Sequence, residues 1–206
     1  MANNDISRPH VFEKGTSSRT LLLLHGTGAD EFDLLNLGKA IDPGASLLSP
    51  RGMYLEAGMN RFFERYPDGT FNEASIDLGV NELAEFIDAA IKKYEIDVTE
   101  LFAVGFSNGA NTAAALMVRH PELLTGAALF GSTKPYREIA PVDLSGKRIW
   151  LANGDQDSYA PVAASENWVA ELNGFGAQAT WLRHPGGHQI SGEHVAEIAL
   201  ELSSRQ

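Results

Sequence analysis

"AVGFSNGAN", Ala103 to Asn111, decides how this chain is read. Leu101 to Val104 suit a strand, and small residues after Asn108 suit a helix. Between them stands Gly105-Phe106-Ser107-Asn108-Gly109, a G-x-S-x-G sequence. In a strand-turn-helix setting this pattern is a nucleophile elbow. The serine takes a strained turn, and glycines on both sides let strand and helix approach without Cβ clashes. The turn lifts the hydroxyl clear of the sheet and aims the free N–H groups of the next helix at developing negative charge.

Working outward, short apolar runs recur along the chain. Leu21 to Leu24, "ASLLS" around Leu47, "LFAVGF" from Leu101, "GAALF" from Gly126, "RIWLA" from Arg148 and "QATWL" from Gln178 all read as buried strands. Amphipathic stretches separate them. Leu83, Phe86, Ile87, Ala90, Ile91 and Tyr94 make one helix stripe. A second holds Val162, Ser165, Trp168, Val169 and Leu172, and a third Val195, Ile198, Ala199 and Leu202. Strand alternating with helix predicts an α/β fold, a mostly parallel sheet with helices on both faces. No repeat, linker or composition shift divides the chain, so one domain over 1–206 is expected, with 1–18 as N-terminal tail and first edge segment. The irregular stretch 49–75 reads as a long loop at the carboxyl end of a strand, where such sheets build their sites.

Composition narrows the function classes. With 44% hydrophobic and 21% charged residues, the chain is an ordinary globular protein. Its 16 basic and 27 acidic residues leave a net charge of -11, which argues against nucleic acid or an anionic membrane as partner. Cysteine is absent, which removes disulfides, thiolate metal sites and cysteine nucleophiles together. The N-terminal "MANNDISRPHVFEKG" has no apolar signal-peptide core, so a cytoplasmic protein is expected.

A serine hydroxyl needs a base, and the base an orienting acid. Strand "RIWLA" runs into an Asn153-Gly154 turn and then Asp155 and Asp157. Asp157 lies farther from the strand and leads into a helix, whereas Asp155 could bond its own backbone in the turn. These residues alone favour Asp157 without closing the choice. "HPGGHQI" supplies His184 and His188. His188 follows two glycines that free its loop to reach over the sheet edge, while His184, near the strand and before Pro185, is expected as a wall or surface residue. Pro-Gly-Gly between the two forbids the helix on which an i, i+4 metal pair would sit, so no metal and no cofactor is expected. Acyl transfer also needs oxyanion donors, expected at the backbone N–H of Asn108 and of Thr27, in the glycine loop His25-Gly26-Thr27-Gly28. His25 is read as holding that loop. His10 falls in the tail, His120 at a helix end, and His194 on the last helix facing away from the His188 loop.

With these parts in place, the chain resembles an α/β-hydrolase of the phospholipase/carboxylesterase family, which includes bacterial carboxylesterases and acyl-protein thioesterases. The family's "LHG-x-G-x" matches Leu24 to Ala29, "GFS-x-G" matches Gly105 to Gly109, "G-x-x-D-x-x-x-P" matches Gly154 to Pro161, and "GH" matches Gly187-His188. The resemblance runs from Leu21 to the last helix and carries the family acid onto Asp157. It implies an α/β-hydrolase fold and a Ser107-His188-Asp157 serine hydrolase of small carboxylic esters or thioesters. Its partner would be a small-molecule ester, with no membrane, and its assembly a homodimer. Long acyl chains, as in lysophospholipases and acyl-protein thioesterases, are the alternative, and a non-catalytic binding protein a remote one. "MNRFFER" departs from the family pattern by Glu64 in place of Asp, and the elbow by Asn108 in place of Gln. "SPRGMYLEAGMNRFFER" looks closest to a bacterial branch, some of it associated with hydroquinone metabolism, so reaction type carries over better than substrate. Met59, Arg61, Phe62 and Phe63 are the candidate pocket residues, the apolar three being equally readable as core. The stretch between Phe130 and Lys147 is too short for a large cap.

Overall fold

The computed structural model describes residues 6–204. Of the expected N-terminal tail, positions 1–5 lie outside the described residues. The tail then enters the sheet, because His10–Glu13 forms strand β1. Six parallel strands follow in the sheet: β2 (Thr20–Leu24), β3 (Ser46–Pro50), β6 (Leu101–Phe106), β7 (Gly126–Phe130), β8 (Arg148–Gly154) and β9 (Gln178–His184). Their order is β1-β3-β2-β6-β7-β8-β9, with β1 antiparallel at the edge. The α/β-hydrolase architecture expected from the sequence is the one observed, without a large cap.

Alternation along the strands explains both faces. Leu22 and Leu24 point into a core shared with α2 (Glu73–Tyr94), α3 (Asn108–Arg119) and α4 (Val162–Gly174). Leu21 and Leu23 point the other way, against α1 (Leu35–Ile41) and α5 (Gly192–Ser203). Fully burying each such leucine contributes about 1.5–3 kcal/mol. A sheet covered on both faces has continuous apolar strands, which is why these runs were readable.

Two boundaries differ from the sequence reading. Asn153-Gly154, read as a turn, completes β8, and Gly154 pairs with His184 of β9. The expected 49–75 loop contains a hairpin, β4 (Tyr54–Glu56) paired with β5 (Met59–Arg61). Its last residues belong to α2, which starts where the Asn72 side chain accepts the Ser75 N–H (3.2 Å) and caps the first turn. Three-residue strands carry too little periodicity to be seen in a sequence.

Helix α2 crosses the hairpin's exit closely. A Cβ at Gly79 would lie 2.3 Å from the Phe62 carbonyl oxygen, whereas one at Gly174 in α4 would meet nothing. The same substitution therefore has opposite signs at the two sites. Gly174→Ala is expected to raise unfolding free energy in urea by about 0.5–1 kcal/mol. Gly79→Ala is expected to lower it by about 1–3 kcal/mol.

Candidate active site

The elbow has the backbone its sequence implies. Ser107 sits at φ 52°, ψ −116°, a conformation L-residues avoid at a cost of about 1–3 kcal/mol. Hydrogen bonds hold it there: Ser107 N–H donates to Phe130 O (2.8 Å) on β7, and Asn111 N–H to Ser107 O (2.9 Å). A Cβ at Gly105 would lie 2.7 Å from Ala110 Cα, and one at Gly109 only 2.0 Å from Leu24 O. Both flanking glycines are therefore required by close approach, α3 to its own strand and α3 to β2.

Loops from adjacent strand ends bring the acid and the imidazole to this serine. Asp155 N–H donates to His184 O (2.8 Å) and Gln156 N–H to Gly186 O (3.0 Å), stitching the two loops together. His188 Nδ1 lies 2.7 Å from Asp157 Oδ2, and Nε2 lies 2.9 Å from Ser107 Oγ. The other Asp157 oxygen accepts the N–H groups of Tyr159 (2.8 Å) and Ala160 (3.2 Å). A fully enclosed carboxylate held by two backbone donors can only accept from Nδ1–H, which leaves the Nε2 lone pair facing the serine hydroxyl. Asp155 turns outward to Arg183 (2.9 Å). His184 is not a wall or surface residue. It is buried against the ring of His194 (5.3 Å between centroids), and its Nδ1 accepts the Gly186 N–H. His10, expected in the tail, lies on β1 and bonds Tyr94 Oη (2.7 Å).

The two expected oxyanion donors also line this cleft, beside Ser107. Neither the Thr27 nor the Asn108 N–H is taken by an acceptor among the described residues. The hairpin clamps the Thr27 loop. Gly28 N–H donates to Asn60 O (2.9 Å), Asn60 Nδ2 to Ala29 O (3.0 Å), and Arg61 Nη1 to Thr27 Oγ1 (2.5 Å). His25 ties the loop from beneath: Gly52 N–H donates to its Nε2 (2.9 Å), so its proton sits on Nδ1, directed at Gly26 O (2.7 Å).

The cleft itself has a volume of about 900 Å³. Of the candidate pocket residues, Arg61 lines it. Phe62 and Phe63 do not: at 1% exposure they belong to the core, Phe62 against His25 and Phe63 against Phe71. Met59 is 41% exposed and stands beside Gly28, away from the lining. Phe62 and Phe63 follow the end of β5, where the chain turns towards α2 and both rings enter the core. The apolar walls are instead Phe71, Phe106, Pro135 and Tyr159, interspersed with charged residues. Sequence reasoning also missed a buried polar brace behind the nucleophile. Asn111 Oδ1 accepts from Ser132 Oγ and Thr133 N–H, and Asn153 Nδ2 donates to Ser132 O and Ser165 Oγ. The only signal was a pair of asparagines beginning one helix and ending one strand.

The chain is similar to known proteins. The family model described as phospholipase/carboxylesterase matches residues 9–204. A Bacillus subtilis (strain 168) protein named "Putative hydrolase MhqD" is 43% identical over 192 residues, covering 93% of this chain and 96% of its own. The Bacillus cereus carboxylesterase structure superposes with a TM-score of 0.93 at 38% identity, covering 97% of this chain and 95% of its own. A Mesorhizobium loti carboxylesterase gives 0.86 at 30% identity over 92% and 90% of the two chains. This chain belongs to the phospholipase/carboxylesterase family. No helix among the described residues is long and apolar enough to cross a membrane.

Burial, more than any neighbouring charge, holds the His25 imidazole below its ordinary value of 6.5. Protonation would also place a second N–H against the Gly52 N–H. The unfolded chain takes up this proton first, so stability is complete above about pH 6.5 and lost as pH falls from there towards the depressed folded value. The urea midpoint of the native protein is expected to fall more steeply between pH 7 and 5 than that of His25→Gln.

Proposed function

We propose that the chain is a serine hydrolase that cleaves small carboxylic esters or thioesters through an acyl-enzyme. The observation that carries this reading is His188, bridging Asp157 at 2.7 Å and Ser107 at 2.9 Å. Ser107 Oγ attacks the acyl carbon while its proton passes to His188 Nε2. Asp157 keeps the imidazole in the required tautomer and stabilises the imidazolium. The oxyanion is received by the Thr27 and Asn108 N–H groups, each such donor contributing about 10²–10³ in rate. His188 then returns its proton to the leaving group, takes one from water as that oxygen attacks the acyl carbon, and gives it back to Ser107 Oγ as the acyl–oxygen bond breaks and the acid leaves.

Family membership supports ester hydrolysis, and the similar Bacillus cereus and Mesorhizobium loti proteins, both named carboxylesterases, point the same way. A short acyl group fits better than a long one. The aromatic residues that would have made a greasy channel, Phe62 and Phe63, are in the core, and the cleft wall carries several charges.

The test is a series of p-nitrophenyl esters from acetate upward. The native protein is expected to turn over short chains best. Ser107→Ala is expected to lose about 10⁴–10⁶ in kcat, and Asp157→Asn about 10³–10⁴. Near-native turnover by Ser107→Ala would sink the mechanism, and a profile peaking at long chains would move the substrate to lipid or acylated protein.

A further inference from the structure

Two guanidinium groups stand on the wall of the cleft that holds Ser107 and His188, one from the last residue of the hairpin and one from four residues beyond it. Arg61 and Arg65 both line it. They share one acid. Glu56 accepts from Arg65 through both oxygens, Oε1 to Nη2 (2.5 Å) and Oε2 to Nε (3.3 Å). The same Oε2 stands 3.3 Å from Arg61 Nε. Two cations against one carboxylate leave this cluster with a surplus positive charge.

Arg61 is the buried member, 3% exposed. Its Nε donates to Phe63 O (3.1 Å) and its Nη1 to Thr27 Oγ1. Its Nη2 has no acceptor among the described residues, yet it is not sealed from solvent as the other unpartnered buried atoms are. Burial pushes this guanidinium down to about 10, so it remains a cation at neutral pH. The wall also carries the carboxylates of Asp33, Asp68 and Glu73, and none of them pairs with Arg61, whose one acid within 4 Å among the described residues is Glu56. Asp68 Oδ1 is held by Thr70 (2.6 Å), and Glu73 Oε1 takes the Arg137 N–H (2.8 Å). Lys134 is paired with Glu171 (2.7 Å), and Arg137 and Asp33 add one charge of each sign to the lining. A desolvated guanidinium with an open N–H is most stable when a ligand anion completes it, and a carboxylate is the planar acceptor it fits.

We propose that the cleft selects esters whose short acyl group carries a free carboxylate, anchored by Arg61 Nη2 and drawn by the charge that Glu56 leaves uncompensated. The proposal rests on Ser107 being the nucleophile. It makes Arg61 a specificity residue, a role separate from its contact with Thr27.

The test compares mono-4-nitrophenyl adipate with 4-nitrophenyl hexanoate, equal in acyl length and different in terminal charge. The native protein is expected to favour the anionic ester by about tenfold or more in kcat/KM, the worth of one charged hydrogen bond. Arg61→Gln is expected to erase that ratio, whatever it does to both rates through Thr27. Glu56→Gln is expected to raise the ratio, because it leaves both guanidiniums unpaired. A native preference for hexanoate would overturn the proposal. So would an Arg61→Gln variant that slows both esters equally, since Arg61 would then serve only the Thr27 loop. A separate arm needs no turnover: calorimetric binding of adipate to Ser107→Ala protein, expected to be lost on adding Arg61→Gln. Adipate binding without esterase activity would fault the nucleophile and spare the anion site. Esterase activity without adipate binding or anionic preference would do the reverse.

Discussion

Everything at this site depends on how closely α3 approaches β2. The Leu24 carbonyl oxygen lies where a Cβ of residue 109 would be, and Ala110 lies against residue 105. That contact pulls the start of α3 down onto the sheet, and Ser107 must then cross a forbidden region of backbone space to connect strand with helix. Hydrogen bonds from the Ser107 N–H to Phe130 O and from the Asn111 N–H to Ser107 O hold the distortion in place. The hydroxyl is thereby set above the carboxyl ends of the strands, where the loops after β8 and β9 can reach it. A strained serine of this kind persists only because its surroundings over-determine it.

The same geometry explains what could be read from sequence. Buried parallel strands are unbroken apolar runs, so the sheet was visible from Leu21 to Leu182. The elbow was visible because glycine was required twice within five residues. Ser107 and His188 could be named because their loops leave the ends of visible strands, Asp157 only once the family resemblance was added to its loop, and hydrogen-bond distances join the three. The hairpin was not visible. Its strands span three residues each, and its stability comes from Glu56, Asn60 and Arg61 reaching the Thr27 loop and Arg65. Those are tertiary contacts with no local pattern. The misplacement of Phe62 and Phe63 has the same origin: an aromatic residue in an irregular stretch looks like a pocket wall until the direction of the chain is known.

The hairpin also gives the cleft its character. Of the four pocket residues expected from the sequence only the buried Arg61 lines the cleft, and it shares Glu56 with Arg65. Two features of the chain meet there. One is the support of the Thr27 loop by Asn60 and Arg61, which fixes an N–H beside the nucleophile. The other is a positive charge set inside a protein of net charge -11. In the proposed mechanism acyl transfer would belong to the fold and its loops, and the choice of acyl group to this short hairpin.

The most direct measurement is a crystal structure of the protein after reaction with a short alkyl fluorophosphonate, whose phosphorus mimics the tetrahedral intermediate. The account predicts phosphorus bonded to Ser107 Oγ and its charged oxygen about 2.7–3.1 Å from both the Thr27 and the Asn108 nitrogens. Labelling at any other residue, or an oxygen turned away from both N–H groups, would contradict it.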